Sequence, residues 1–463
     1  MPELPEVETI REIVEPEIKG KKIASIEVFR GASILTGEKE FVTALTGKTF
    51  LSLSREGKFL LFHLTHDLVI ISHLRMEGKY FITPKNYVKE KHDILIYHFS
   101  DGTGLRFNDV RKFGILMLSN EERCHKEPPL STLGKEPFAL TPDELYDGLQ
   151  KKKTEPIKEA LLDQTLIAGL GNIYDDEVLF AASINPKRLA SFITKEECSS
   201  IITESRRILH NAIINHGSTI KSYHPKEGMS GGMQNLLLAY GRGNKPCTRC
   251  GMPLRKISIG GRGTVYCPNC QRIENKPFIV SITGPIASGK STVLKYLISK
   301  GYLGISCDEE IKKLYEEDDI KNGLKAIFGE EVIKEEKADK ALISKEIAGD
   351  LAKKKALTDL LYPLLYARID KIIDETEKKK IAIEVPLLLG SPLEDISDLV
   401  IYVDTSKEKE KERLLSRNVD PDIALSINSS FKRGLSKKMA GLVVSGNGDV
   451  SELTKELERA KYL

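Results

Sequence analysis

The sequence predicts a multidomain chain: a strand-rich N-terminal part, a helical part ending in a small cysteine ribbon, and a C-terminal α/β unit with a parallel sheet. Three observations predict it. Short β-branched and aromatic runs fill residues 22–120 and then give way to capped helical patterns from about 141 to 214. Two C-x-x-C pairs lie sixteen residues apart, Cys247/Cys250 and Cys267/Cys270. A G-x-x-x-x-G-K-S stretch, Gly284 to Ser291, follows an apolar strand and opens a helix.

Length and composition set the frame. A chain of 463 residues exceeds one ordinary domain and suggests about three. Hydrophobic content of 40% with 30% charged residues is globular composition, which excludes disordered and membrane classes. No apolar run reaches the roughly 20 residues of a membrane-spanning helix. The opening Met1-Pro2-Glu3-Leu4-Pro5-Glu6 is acidic and proline-rich, unlike a signal peptide. Of seven cysteines, four form the two pairs, a metal pattern rather than a disulfide framework. A soluble, cytoplasmic protein is expected. The net charge of +3 names no partner, but residues 201–274 hold 11 Lys/Arg against 3 Asp/Glu, while 275–463 hold 32 against 33. An excess gathered in one segment is what a nucleic-acid footprint looks like, although a solvated basic face has the same charge.

Taken in order, the runs 23–29, 59–64 and 68–72 read as strands, separated by glycine and charged turns. Thr141-Pro142-Asp143-Glu144 and Thr194-Lys195-Glu196-Glu197 read as capped helix starts. Residues 243–272 are too few to bury a core of their own, and Ile273-Glu274-Asn275-Lys276-Pro277 is a polar boundary. Phe278-Ile279-Val280-Ser281-Ile282 then begins a strand-turn-helix unit.

The spacing of Cys247, Cys250, Cys267 and Cys270 is that of a four-cysteine zinc ribbon. Four thiolates leave no open position, so one zinc ion here is structural. Between the pairs, Gly260-Gly261-Arg262-Gly263-Thr264 is a turn with an arginine at its tip, suited to a phosphate.

Pro2-Glu3-Leu4-Pro5-Glu6-Val7-Glu8 together with Cys267-Pro268-Asn269-Cys270-Gln271 resembles the formamidopyrimidine-DNA glycosylase family, over residues 2–272. The resemblance implies a β-sandwich over 1–130, a helix–two-turn–helix domain over 131–240 and the ribbon over 241–274. It implies removal of the initiator Met, Pro2 as a secondary-amine nucleophile, and Glu3 as general acid/base. Lys58 matches the lysine that assists β-elimination and contacts phosphate, and Arg262 the arginine assigned to δ-elimination. Met76, Arg111 and Phe113 match the triad that fills the gap left by a flipped nucleotide. His92, Lys152, Lys158 and Asn172 match positions that contact the DNA backbone, Asn172 within Ala168-Gly169-Leu170-Gly171-Asn172. Gly217-Ser218-Thr219-Ile220 resembles the start of a loop closing over the lesion. The implied activity is excision of oxidised purines (8-oxoguanine, formamidopyrimidines) from damaged double-stranded DNA. An endonuclease VIII-like pyrimidine-lesion enzyme and a non-catalytic DNA-binding scaffold are the alternatives.

Gly284-Pro285-Ile286-Ala287-Ser288-Gly289-Lys290-Ser291-Thr292 is a phosphate-binding loop, with Lys290 for the β/γ oxygens of ATP and Ser291 for Mg²⁺. Downstream, Ile305-Ser306-Cys307-Asp308, Glu384-Val385-Pro386-Leu387-Leu388 and Arg413-x-x-x-Arg417 resemble dephospho-CoA kinase, from 278 to about 460 within an α/β domain of 278–463. The resemblance implies transfer of the ATP γ-phosphate to the ribose 3′-hydroxyl of dephospho-CoA, Asp308 as base or Mg²⁺ organiser, and Arg413 and Arg417 as lid arginines on the phosphates. Ser306, Tyr362, Glu384 and Gly390 depart from the family pattern, as does the region 426–430. Another small-molecule kinase, or a degenerate nucleotide-binding module, is the alternative. A monomer carrying two independent activities is expected.

Overall fold

The computed structural model describes residues 1–218, 231–274, 276–421, 424 and 431–463. They form two compact units, Met1–Gly241 with Ser258–Tyr266, and Arg242–Ile257 with Cys267–Leu463.

The first unit opens on a helix, Leu4–Ile18, followed by two four-stranded antiparallel sheets. One has the order β1 (Ile23–Val28), β6 (Asp93–Phe99), β7 (Gly104–Asn108), β5 (Lys79–Thr83). The other is β2 (Phe50–Glu56), β3 (Phe59–Leu64), β4 (Leu68–His73), β8 (Ile115–Asn120). The runs expected at 23–29, 59–64 and 68–72 are β1, β3 and β4. Leu53, Leu60, Phe62, Tyr97 and Phe107 share one core with Val7, Ile10 and Val14 of the first helix, so the helix is bound to the sandwich through its apolar stripe. Both expected helix starts are capping boxes: Thr141 and Thr194 each accept the backbone N–H three residues on. The helices Pro142–Gln150, Ile157–Leu162, Asn172–Ala181 and Lys195–Ile214 bury a second core around Leu145, Leu161, Tyr174 and Ile201.

The hairpin β9 (Arg255–Ile259) and β10 (Arg262–Tyr266) follows. Residues 241–274, read from the sequence as one ribbon, are divided between the two units: the cysteines lie in the second and the hairpin tip in the first.

The second unit is built on β11 (Phe278–Thr283), β12 (Leu303–Ser306), β15 (Lys380–Glu384), β16 (Leu399–Asp404) and β17 (Leu442–Ser445), the short hairpin β13 (Ile333–Lys334) and β14 (Lys337–Ala338) lying outside the sheet. The order is β12-β15-β11-β16-β17, every pairing parallel. All six residues of β11 are buried, as expected of a central strand covered on both faces. The carboxyl ends of β11, β12 and β15 therefore open side by side, where ligands gather in such sheets. No helix among the described residues is long and apolar enough to cross a membrane.

Candidate active sites and metal centre

Glu3 is the N-cap of the first helix and is 2% exposed. Its carboxylate accepts the backbone N–H of Ile173 (2.9 Å) and of Tyr174 (3.3 Å), at the start of the helix Asn172–Ala181. A carboxylate at a helix N-terminus meets free N–H groups and the positive end of the dipole. The turn before that helix permits the approach. Leu4 N–H donates to Gly169 O at 3.0 Å. Gly169 has φ +90°, and a Cβ there would lie 2.5 Å from Leu4; a Cβ on Gly171 would lie 2.3 Å from Glu3 Cδ.

Lys58 Nζ donates to Leu170 O at 2.7 Å on the same turn and is 4% exposed. Burial lowers its pKa, while Glu3 and Glu6 pull it back up and Arg262 opposes them. Glu6 is buried and receives Tyr174 Oη (2.6 Å) and Ser218 N–H (2.8 Å); desolvation raises its pKa. Arg262 sits on an exposed turn held by two bonds, Asn172 Nδ2 to Gly263 O and Val265 N–H to Asp176 Oδ2, each 2.9 Å. Glu3, Lys58, Asn172 and the Arg262 turn thus converge on one helix N-terminus, with Pro2 next to Glu3 in the chain.

Sheet topology brings two further turns together. Residues 74–78 lead from β4 to β5, and 109–114 from β7 to β8. Because His73 pairs with Ile115 and Lys79 with Asn108, both turns cross between the sheets at the same end. Met76 is half-buried on the first turn; Arg111 and Phe113 lie on the second, the guanidinium 5.1 Å from the ring centroid and Phe113 54% exposed. Asp109, fully buried, shapes the second turn by accepting the N–H groups of Arg111, Phe113 and Gly114. His73 Nδ1 accepts Arg75 N–H on the first; burial pushes its pKa down to about 3, so the ring is neutral. His92 O accepts Asp109 N–H, placing His92 beside this turn with its Nδ1 buried and unpartnered among the described residues.

Two lysines expected on the DNA backbone are engaged with carboxylates of the protein. Lys158 is fully buried: Nζ lies 2.7 Å from Asp176 Oδ1, 3.3 Å from Asp175 Oδ2 and 3.2 Å from Asn172 O. It is an internal cation beneath the turn that precedes the helix Asn172–Ala181, because two buried carboxylates require a partner. Burial raises the pKa of Asp175 to about 7, Lys158 acting against it. Lys152 is tied to Asp163 (2.8 Å) and Glu155 (3.1 Å). Thr219 and Ile220 of the expected lesion loop lie outside the described residues.

The four cysteine sulfurs lie within 4.8 Å of one another, Cys247–Cys270 at 3.9 Å and Cys250–Cys267 at 3.5 Å, and none is in a disulfide. Tetrahedral zinc with bonds of about 2.3 Å needs sulfurs roughly 3.8 Å apart, so the four fit that ion.

In the second unit the phosphate loop joins β11 to the helix Lys290–Ser299. Gly284 (φ +153°) would place a Cβ 2.6 Å from Val403 O, and Gly289 caps the helix in the left-handed region (φ +108°). Lys290 Nζ donates to Gly284 O (3.2 Å) and Pro285 O (2.8 Å); burial lowers its pKa against Glu384 and Asp308. Ser291 Oγ donates to Glu384 Oε1 at 3.0 Å. Glu384, 5% exposed at the end of β15, was legible in the sequence only as an acid in a strand-end motif; the parallel register puts it beside the loop. Asp308 stands exposed in the first turn after β12. It lines a cavity of about 330 Å³ with Lys290, Cys307, Tyr362, Tyr366 and Pro386.

Arg413 does not reach out as a lid arginine. It donates to Ala287 O (3.0 Å), Ser288 O (3.1 Å) and Gly446 O (2.6 Å), bracing the loop from behind. Arg417, four residues on and past the end of the helix Lys407–Leu415, is exposed. The departure at 426–430 lies outside the described residues.

The chain matches four family models: formamidopyrimidine-DNA glycosylase N-terminal domain over 1–116, the H2TH domain of that glycosylase over 133–224, the zinc finger found in FPG and IleRS over 244–273, and dephospho-CoA kinase over 278–452. It is 45% identical over 276 residues to the formamidopyrimidine-DNA glycosylase of an Exiguobacterium species, covering 59% of this chain and 100% of the relative. To that of Streptococcus mutans it is 46% identical over 276 residues, again 59% and 100%. A solved structure of a Lactococcus lactis FPG mutant with Fapy-dG-containing DNA is similar at a TM-score of 0.56 and 41% identity, covering 59% of this chain and 100% of that one. The chain therefore belongs to the formamidopyrimidine-DNA glycosylase family, and it carries behind that enzyme a dephospho-CoA kinase domain.

Proposed function

We propose that this protein is bifunctional: a glycosylase and abasic-site lyase acting on oxidised purines in duplex DNA, and a kinase that phosphorylates the ribose 3′-hydroxyl of dephospho-CoA. The observation that carries the first reading is the Glu3 carboxylate held on two backbone N–H groups beside buried Lys58. With Met1 removed, Pro2 presents a terminal α-amine, a class of amine that is ordinarily about two units less basic than a lysine. Its lone pair forms a bond to C1′, the C1′–base bond breaks, and Glu3 supplies the proton to the departing side. The C1′–O4′ bond then opens as the proline nitrogen forms the C=N⁺ bond and O4′ takes a proton, and the resulting iminium acidifies the C2′ proton. Lys58, whose pKa burial lowers, assists its removal, and the 3′ phosphate leaves; Arg262 serves the second elimination. Met76, Arg111 and Phe113 occupy the gap in the duplex, the exposed ring stacking and the guanidinium meeting the orphaned base. The lesion-DNA complexes of the Lactococcus lactis relative support this substrate class.

The zinc site is structural: Cys247, Cys250, Cys267 and Cys270 hold the knuckle closed and no position remains for a reactant.

For the kinase, the 3′-hydroxyl oxygen bonds to the γ-phosphorus as the β–γ bridge breaks, ADP leaves, and Asp308 takes the hydroxyl proton. Lys290 bears on the phosphates, while Ser291 and Glu384 are the pair that would hold Mg²⁺, which neutralises phosphate charge when bound.

Borohydride reduction on a duplex with one 8-oxoguanine tests the first reading, since it fixes the iminium as a covalent adduct. Adduct formation that persists with a blocked N-terminus would exclude Pro2. Incubation with ATP, Mg²⁺ and dephospho-CoA tests the second: ATP binding with no CoA formed would assign the domain to another acceptor.

A further inference from the structure

In the second compact unit the zinc-binding segment and the kinase fold are packed as one body. Met252, Pro253, Leu254 and Arg255 are buried in succession. Successive residues of an extended segment point to opposite faces, so four in a row are buried only where both faces are covered. A knuckle of this size cannot cover both by itself. Kinase elements supply part of the cover. Arg255, 3% exposed, donates Nη2 to Glu394 O (3.0 Å) in the helix Pro392–Ile396. Asn244 Nδ2 donates to Lys438 O (2.6 Å) at the end of the helix Arg433–Met439. Pro253 packs on Gly441 so closely that a Cβ there would lie 3.1 Å from Pro253 Cβ.

Both anchor points lead to the kinase site. Glu394 Oε2 accepts Gly390 N–H (2.7 Å), closing the stretch that begins with the cavity-lining Val385, Pro386 and Leu387. Gly441 enters β17, after which Gly446 abuts the phosphate loop: a Cβ there would lie 2.2 Å from Ser288 O.

We propose that the zinc-binding segment 242–257 is a built-in support of the kinase domain, so that zinc loading sets the order of the 385–396 cavity wall and with it phosphoryl transfer. Zinc organises a knuckle only when bound, and whatever binds the ordered form alone stabilises everything packed on it. The two activities then share one metal-dependent element. The inference rests on the kinase reading for its activity readout, but its structural readout does not.

The test is hydrogen–deuterium exchange on the full-length chain, zinc-loaded and then stripped by a chelator. Peptides covering 385–396 and 438–446 should exchange about tenfold faster without zinc, while β3 and β6 of the sandwich stay unchanged. Arg255→Ala, with one zinc per chain verified by metal analysis, should loosen 385–396 in the same way and raise KM for the acceptor alcohol more than for ATP. Should Arg255→Ala misfold, Asn244→Ala probes the 438–446 contact separately. Unchanged kinase peptides in both the stripped protein and the zinc-loaded variants would overturn the proposal. Faster exchange at 385–396 with no detectable CoA synthesis would uphold the support and fail only the substrate assignment.

Discussion

Glu3 reaches across the sequence to accept the backbone N–H of Ile173 at 2.9 Å, and the helix N-terminus that holds it also receives Lys58, through Leu170 O, and the Arg262 turn, through Asn172. One helix start therefore positions an acid, a buried amine and an exposed arginine turn from three distant stretches of chain.

Glu3→Gln keeps the size but removes the proton-carrying group, and its amide nitrogen can no longer accept one of the two backbone N–H groups at Ile173 and Tyr174. Excision of 8-oxoguanine should fall by about 10²–10⁴, with lesion-DNA affinity retained. Single-turnover kinetics beside a binding titration check this; equal losses in both would assign Glu3 a structural role instead.

Gly171→Ala tests the approach itself. The added methyl would lie 2.3 Å from Glu3 Cδ, so the carboxylate or the helix start must move. A destabilisation of about 1–3 kcal/mol is expected, together with loss of borohydride trapping. A stable variant that traps at the wild-type rate would show that the turn has room.

Asp175 and Lys158 set a pH dependence. Burial raises the Asp175 pKa to about 7 from an ordinary value near 3.8, so the folded chain binds a proton that the unfolded chain has lost. Stability contributed by this group is full below about 4 and declines as pH rises through 7. Asp175→Asn should flatten that slope and stabilise the glycosylase half at pH 8, read by thermal melts across pH. Lys158→Met should destabilise by about 3–5 kcal/mol, because Asp175 and Asp176 would be left buried without their cation. A Lys158→Met chain that melts like the wild type but binds DNA weakly would restore it as a surface contact.

Arg413 and Arg417 should separate. Arg413→Ala removes the brace on Ala287 O and Ser288 O, so ATP affinity and the kinase melting temperature should fall together. Arg417→Ala should lower kcat with little change in melting. Lys290→Ala and Glu384→Gln should remove most phosphoryl transfer, and none of the four should alter lesion excision. Isothermal titration with ATP and separate turnover assays decide each case.

Some of this protein was settled by the sequence alone, because the signals are local. Cysteine spacing determines a chelating knuckle before any folding is known. The capping boxes at Thr141 and Thr194 are satisfied within four residues, and Gly284-to-Ser291 carries its own strand and helix context. Tertiary structure decided whatever depends on burial or on partners far away in sequence. The family resemblance puts Lys158 on the DNA backbone and Arg413 on the ATP phosphates; packing pairs the one with two buried aspartates and the other with loop carbonyls. Glu384 acquires its partner Ser291 through the parallel register of β11 and β15, which no spacing rule encodes. The knuckle read as separate from the kinase is buried against it through Arg255 and Asn244. A desolvated charge must be satisfied by whatever the fold brings near it, and that neighbour is chosen by topology rather than by sequence distance.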